Sequence, residues 1–370
     1  MRTSLPPGRK HPAAARVLNL AMTALLGVAG LLSIVGMLAA GLFVRTLLAP
    51  GLDPATQALT ATLARIMLLE VLLVVAESGL VALLVSRNQL LLPAMATGLH
   101  NLALIGGIGV AILVPDVGIY GPTIGAIVDA LIKLAILIPG LQQRGYRFQL
   151  LWRPRDRDLH TVLRLLIPNA LSSGVNYAGT ITDTALSTLA GHAAALGAIQ
   201  NAYLLVGLPI RLLGVAIGQA TMPHMVKLSI AKQYAALRKA VHRALAIACG
   251  LAGLAAIAMI GLGRLMIRLL FERGAFDSYA GDLTYQMLAA YSLGLPAYVA
   301  TEVLARALLS CLDTRTQLLT NSLQLTLRIT LLLAMIGQVG PVLIPLAFAA
   351  SSVIEAGILY IVLQRRIQEV

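Results

Sequence analysis

The chain has 370 residues, 58% of them hydrophobic and 12% charged, with a formal net charge of +13. A soluble domain cannot hide that much apolar surface, and apolar runs of about 20 residues, each able to cross ~30 Å of hydrocarbon, read as transmembrane helices. The runs are continuous rather than alternating, which argues against a membrane β-barrel, and the positive charge reads as basic loops on one membrane face rather than a nucleic-acid surface.

In chain order, "MRTSLPPGRKHPAAAR" (1–16) is a basic tail. The run behind it is too long for a signal peptide and has no convincing cleavage site, so the tail precedes a first span. Ten spans follow, at roughly 17–43, 62–85, 90–114, 117–139, 162–185, 195–222, 243–263, 283–310, 317–337 and 341–363. The fold class expected is therefore all-α, a polytopic membrane protein of about ten transmembrane helices. Basic residues collect in the tail (Arg2, Arg9, Lys10, Arg16), in 140–160 (Arg144, Arg147, Arg153, Arg155, Arg157), in 224–242 (Lys227, Lys232, Arg238, Lys239) and at the C-terminus (Arg365, Arg366). With ten spans these four segments share one side, which the positive-inside rule makes cytoplasmic, both termini included.

Two phrases recur. "RTLLAPGLD" at 45–53 is echoed by "RLLFERGAFD" at 268–277, and "LVSRNQLL" at 84–91 by "LDTRTQLL" at 312–319. Each pair brackets one apolar span at a nearly constant offset. Spans 1–4 therefore resemble spans 7–10 in the same order and orientation, a parallel repeat of the kind that places substrate between two bundles. The second unit is preceded by spans 5 and 6 and the first only by the tail. The reading is a twelve-span core short of its first two helices: tail 1–16, incomplete N-terminal bundle 17–139, cytoplasmic linker 140–160, and six-helix C-terminal bundle 161–370.

Ionisable residues within spans are expensive and mark function by default. Glu70 and Glu77 lie seven apart on one face of span 2. They are read as proton or cation sites, or as partners of buried arginines. Asp129 with Lys133, and Glu302 with Arg306, have the i,i+4 spacing of local ion pairs. Span 5, "PNALSSGVNYAGTITDT", places Asn169, Asn176 and Asp183 on one stripe with Ser173 between them. Such a stripe lines a wet cavity or makes interhelical hydrogen bonds. In span 6, Arg211 follows Pro209, whose missing N–H predicts a kink. Span 9 carries Asn321, Gln324 and Arg328. Either arginine can grip phosphate oxygens through its forked donors, or snorkel or pair with a carboxylate. Glu355 has no assigned role. Cys249 and Cys311 form no metal or redox pattern and read as buried thiols. No phosphate-binding loop, zinc motif or catalytic signature occurs, so no cofactor and no enzymatic activity is expected.

Several phrases carry a resemblance. "RTLLAPGLD", followed by "LARIMLLEVLL" and "NQLLLPAMATGLHNLALI", is similar to the third-to-fifth-helix region of the MviN/MurJ lipid II flippases. "LLIPNALSSGVNYAGTITDTALSTLAG", "GLPIRLLGVAIGQATMPHM", "LLFERGAFD" and "LGLPAYVATEVLARALLSCLDTRTQLL" resemble later segments in order. The resemblance covers nearly the whole chain. It implies two helical bundles alternating between inward and outward openings in a bacterial cytoplasmic membrane. The implied substrate is a lipid-linked sugar pyrophosphate, the peptidoglycan precursor, and the implied partners are membrane lipids and cell-wall synthesis proteins. By resemblance Asp183 is a member of a cation site, and its expected Asn partner falls at Arg328. A family basic residue falls near Tyr203 or Leu204, with Arg211 a possible substitute. The proline expected after "ARIM" is replaced, so the chain reads as a divergent or impaired flippase. The alternatives are a flippase for another polyprenyl-linked sugar, a small-molecule exporter, or a non-transporting remnant that binds partners.

Overall fold

A computed structural model describes residues 12–86, 89, 91–142, 149, 151–153, 156–189, 195–274, 276–311, 313 and 315–368. Among the described residues twelve α-helices follow one another: α1 Pro12–Phe43, α2 Pro54–Ser86, α3 Leu91–Leu113, α4 Tyr120–Gln142, α5 Arg157–Leu189, α6 Ala195–Pro209, α7 Ala216–Ile230, α8 Tyr234–Leu270, α9 Ser278–Leu293, α10 Leu295–Ser310, α11 Arg315–Val339 and α12 Leu343–Gln368. Among the described residues, eight continuous helical segments are long and apolar enough to cross a membrane, and the bent pair α9–α10 makes a ninth. The remaining expected span, in α5, is long enough at 33 residues but too polar to count by composition. Its polarity comes from its Asn, Ser, Thr and Asp residues.

The chain divides into two compact units, 1–46 with 53–165, and 47–52 with 166–370. The division at 165/166 falls inside α5. In the N-terminal unit Leu151 and Asp156 lie against α1. The Leu151 amide donates to the Thr23 hydroxyl at 3.1 Å, and Arg16 pairs with Asp156. Helices α3 and α4 touch backbone to backbone: a methyl on Gly107 would lie 2.6 Å from the Gly121 carbonyl oxygen. Small residues allow this approach where lipid offers no hydrophobic drive for helix association. Leu80, Leu83, Leu84, Ala96 and Leu137 close the core beside it.

The C-terminal unit is built on α8. Val241, Ala244, Ala248, Ala252, Ala256 and Met259 recur every three or four residues and are all buried. Most are alanines, so neighbouring helices approach closely and one core extends through α6, α9, α10 and α12.

Two helices depart from the expected geometry. Pro209 closes α6 without ending the helical run. The chain continues as a π-helix over Ile210–Val215 and resumes as α7, all within one 36-residue span. The wider i→i+5 turn absorbs the missing proline N–H. The expected single span 283–310 is instead bent by 48° between α9 and α10, at Gly294 followed by Leu295 and Pro296. A side chain at Gly294 would collide with the Tyr298 hydroxyl, so only glycine fits the bend.

The first pair of repeated phrases folds alike. Each ends a helix, turns, and starts the next helix on an aspartate. Asp53 accepts from the Thr56 amide and Asp277 from the Ala280 amide, both at 2.9 Å. Gly274 makes the second turn at φ +63°. In the second pair, Asp313 accepts from the Thr316 amide at 3.1 Å. The matching Arg87 and Asn88 lie outside the described residues.

Candidate functional site

The C-terminal bundle contains a cavity of about 610 Å³, walled by α5, α6, the π-helical segment and α9–α12. It gathers five of the expected residues, Asp183, Arg211, Asn321, Gln324 and Arg328, from three separate spans. Asn321 and Gln324 face it because they precede Arg328 by seven and four residues, which puts all three on one face of α11. Gln324 also donates to the Ser352 hydroxyl at 3.4 Å, tying α11 to α12. Ser173 is exposed and not part of the wall; it lies well off the angular position of Asp183 on α5. The backbones of Asn169 and Asn176 belong to α5, and their side chains lie outside the described residues.

The two arginines behave differently. Arg328 is buried, forms an ion pair with the buried Asp183, and places its guanidinium 4.5 Å from the centre of the Phe348 ring. Ion pairing and the ring face offset part of the desolvation of that charge, while Arg328 Nε and Asp183 Oδ1 find no hydrogen-bond partner among the described residues. Gly179, one turn before Asp183, leaves the room: a methyl there would stand 3.0 Å from Arg328 Nη1. Arg211 is exposed to the cavity, and among the described residues no carboxylate lies within ion-pair distance of it.

The structure reassigns the acids. Glu77 and Glu70 belong to the N-terminal unit. Glu77 lies 3.7 Å from Lys133 Nζ, which also holds Asp129 at 2.8 Å. The expected local Asp129–Lys133 pair thus becomes a triad, because the lysine stem spans the gap between α4 and α2. Glu70 is half-buried on α2. Glu302 does pair with Arg306, yet it also lines the cavity, as does Glu355. With Asp183 they set three carboxylates against the two guanidinium groups of the wall.

An aromatic wall escaped sequence reasoning. Tyr298 stacks on Phe348 at 4.6 Å, and Tyr203 meets Tyr291 edge-on at 5.6 Å. Only 4% of the chain is aromatic, so four rings facing one cavity are a concentration. The available signal was that scarcity, with Tyr203 standing where the resemblance expects a basic residue. Cys249 and Cys311 are free and half-buried rather than buried. Among the described residues no group of three or more His, Cys, Asp or Glu side chains could hold a metal.

Comparison with known proteins agrees with this architecture. A solved lipid II flippase MurJ in an inward closed conformation superposes with a TM-score of 0.79 at 20% identity, over 96% of this chain and 74% of that one. An inward-facing multidrug resistance MATE family transporter of the MOP superfamily gives 0.83 at 13% identity, over 96% and 87%. At these identities the likeness shows the fold. A probable lipid II flippase MurJ from Rhizobium tropici is 26% identical over 341 residues, 91% of this chain and 64% of that protein. One from Synechocystis sp. is 29% identical over 314 residues, 80% and 56%. The chain thus spans between about half and two thirds of the length of these relatives. The family model for lipid II flippase MurJ matches residues 8–369. A multi-pass helical chain with this fold, matched over nearly its whole length, belongs to the lipid II flippase MurJ family.

Proposed function

We propose that the chain carries a lipid-linked sugar pyrophosphate, the lipid II of its family, across the bacterial cytoplasmic membrane by alternating access. It acts as a transporter rather than an enzyme, with both termini cytoplasmic. The observation that carries this reading is Arg211. A guanidinium in a membrane bundle is costly, and this one faces a cavity with no carboxylate paired to it among the described residues. Its forked donors suit the oxygens of a diphosphate. Asn321 and Gln324 supply neutral hydrogen bonds to the sugar-bearing headgroup.

Asp183 takes a different part from the one its resemblance suggests. One oxygen of its carboxylate is held by Arg328, and a guanidinium there competes by charge with an inorganic cation. In this reading transport does not depend on sodium at Asp183. Glu70 and Glu77 remain proposed ion-coupling positions in the N-terminal unit, with Glu77 restrained by Lys133.

The test is growth rescue in cells depleted of their own lipid II flippase. The chain is expected to restore growth, Arg211→Ala to abolish rescue, and Arg211→Lys to rescue partially, since a lysine keeps the charge but loses the fork. Equal rescue by Arg211→Ala would overturn the role of this arginine. A second reading, export of a small aromatic or cationic molecule, draws on the wall of Tyr203, Tyr291, Tyr298 and Phe348. It predicts changed resistance to such compounds with no rescue. A chain that only binds partners would produce neither effect.

A further inference from the structure

Beside the polar cavity lies a second space. Leu208, Pro209 and Leu212 face Ala258, Met259 and Met266 of α8 across a groove of about 310 Å³ with an entirely apolar lining. Leu208 lines both the groove and the cavity, and it is 56% exposed. Leu212 is one turn further along and faces only the groove, whereas Arg211 faces only the cavity. The widened turn after Pro209 and the small side chain of Ala258 leave this gap between the two helical segments.

We propose that the groove seats the hydrocarbon chain of the amphiphile whose phosphate engages Arg211, with Leu208 at the threshold between head and tail. The inference rests on the flippase reading. A molecule with its diphosphate at Arg211 must lead its isoprenoid chain out of a cavity walled by carboxylates and guanidinium groups. The adjoining groove offers an apolar exit within four residues of that arginine. Surrounding lipid is as apolar as the groove, so burial of hydrocarbon supplies no drive. What the groove contributes is a route and a shape. The flexible thioethers of Met259 and Met266 adapt to a branched chain. An ordinary membrane lipid would fill the same groove, but only a chain tethered to a headgroup at Arg211 uses the residue shared by both spaces.

Native mass spectrometry of the full chain in phosphatidylcholine nanodiscs tests this, with polyprenyl phosphate and inorganic pyrophosphate as separate probes. Ala258 is exposed, so Ala258→Phe fills the groove without disturbing the core. It is expected to weaken polyprenyl phosphate binding about tenfold through overpacking and to leave pyrophosphate binding intact. Leu254→Phe, at a residue 65% exposed and outside the groove, is expected to change neither. If Ala258→Phe loses both ligands, Leu262→Trp repeats the test at a groove residue that is 58% exposed. Unchanged polyprenyl phosphate binding in the filled-groove variants would overturn the proposal. So would phosphatidylglycerol displacing the bound chain as well as polyprenyl phosphate does, since the groove would then hold membrane lipid. If the parent binds neither probe, or Arg211→Ala binds both undiminished, the flippase reading fails and this inference with it. Arg211-sensitive binding that ignores the groove overturns the groove alone.

Discussion

Asp183 and Arg328 are 8% and 7% exposed and hold each other across 145 residues of sequence. Removing one partner strands a buried charge, whereas removing both leaves neutral side chains. Arg328→Ala is expected to destabilise by about 3–5 kcal/mol. The double variant Asp183→Asn, Arg328→Gln is expected to recover much of that loss, measured as thermal unfolding in detergent. Equal losses in single and double variants would show that packing, not charge, dominates. Asp313, outside the spans, supports a pH prediction. Burial raises its carboxyl pKa, but the Thr316 hydroxyl and amide and the Arg366 guanidinium outweigh that and hold it below 3.8. A depressed folded value means that this contribution to stability is present above the ordinary value of 3.8 and is lost as pH falls through the folded value. Asp313→Asn should therefore flatten the acid limb of the melting temperature against pH.

Helix ends and breaks explain most of the differences between expected spans and observed helices. The expected span 62–85 sits in a helix starting at Pro54, because the Asp53 carboxylate caps Thr56 and winds a polar first turn that hydropathy overlooks. The same device at Asp277 starts α9, so the repeated phrases encode a turn and a cap rather than a ligand site. Asp277→Ala is expected to cost about 1 kcal/mol, visible as faster amide exchange over the first turn of α9. Unchanged exchange there would mean that the clasp of Arg264 on Glu272 and Asp282 fixes the turn without the cap. Pro209 was readable as a discontinuity, but not as a π-helix. Whether a proline bends or widens a helix depends on what packs against it, and Gly214 lies against Glu302 and Val299 of α10. The bend at Gly294 likewise depends on Tyr298 and Ala349 filling the space beside it.

At the scale of the chain, membrane class, helical architecture and family follow from patterns that are local or additive: long apolar runs, basic loops and recurring phrases. Each span must satisfy its own backbone hydrogen bonds, so its existence is written within its own stretch of sequence. Candidate polar residues were visible for the same reason, since any charge in such a run stands out, and Asp183, Arg211, Asn321, Gln324 and Arg328 do converge on one cavity. Beyond the i,i+4 pairs Asp129–Lys133 and Glu302–Arg306, which charge meets which was not visible. Sequence spacing left Glu77 open to a proton or cation site or to an arginine, and the packing of α2 on α4 sets it 3.7 Å from Lys133. It left the two arginines equivalent, whereas packing committed Arg328 to Asp183 and left Arg211 facing the cavity. Glu302, Glu355 and the aromatic wall joined the site only through the contacts of α9, α10 and α12. Pairing energies in a low-dielectric interior depend on distance and desolvation, and both are set by how helices far apart in sequence pack together. The chain thus carries its spans and fold class in its local pattern, while its long-range ion pairs, the arginine that faces its cavity and the groove beside Leu208 arise only in the folded bundle.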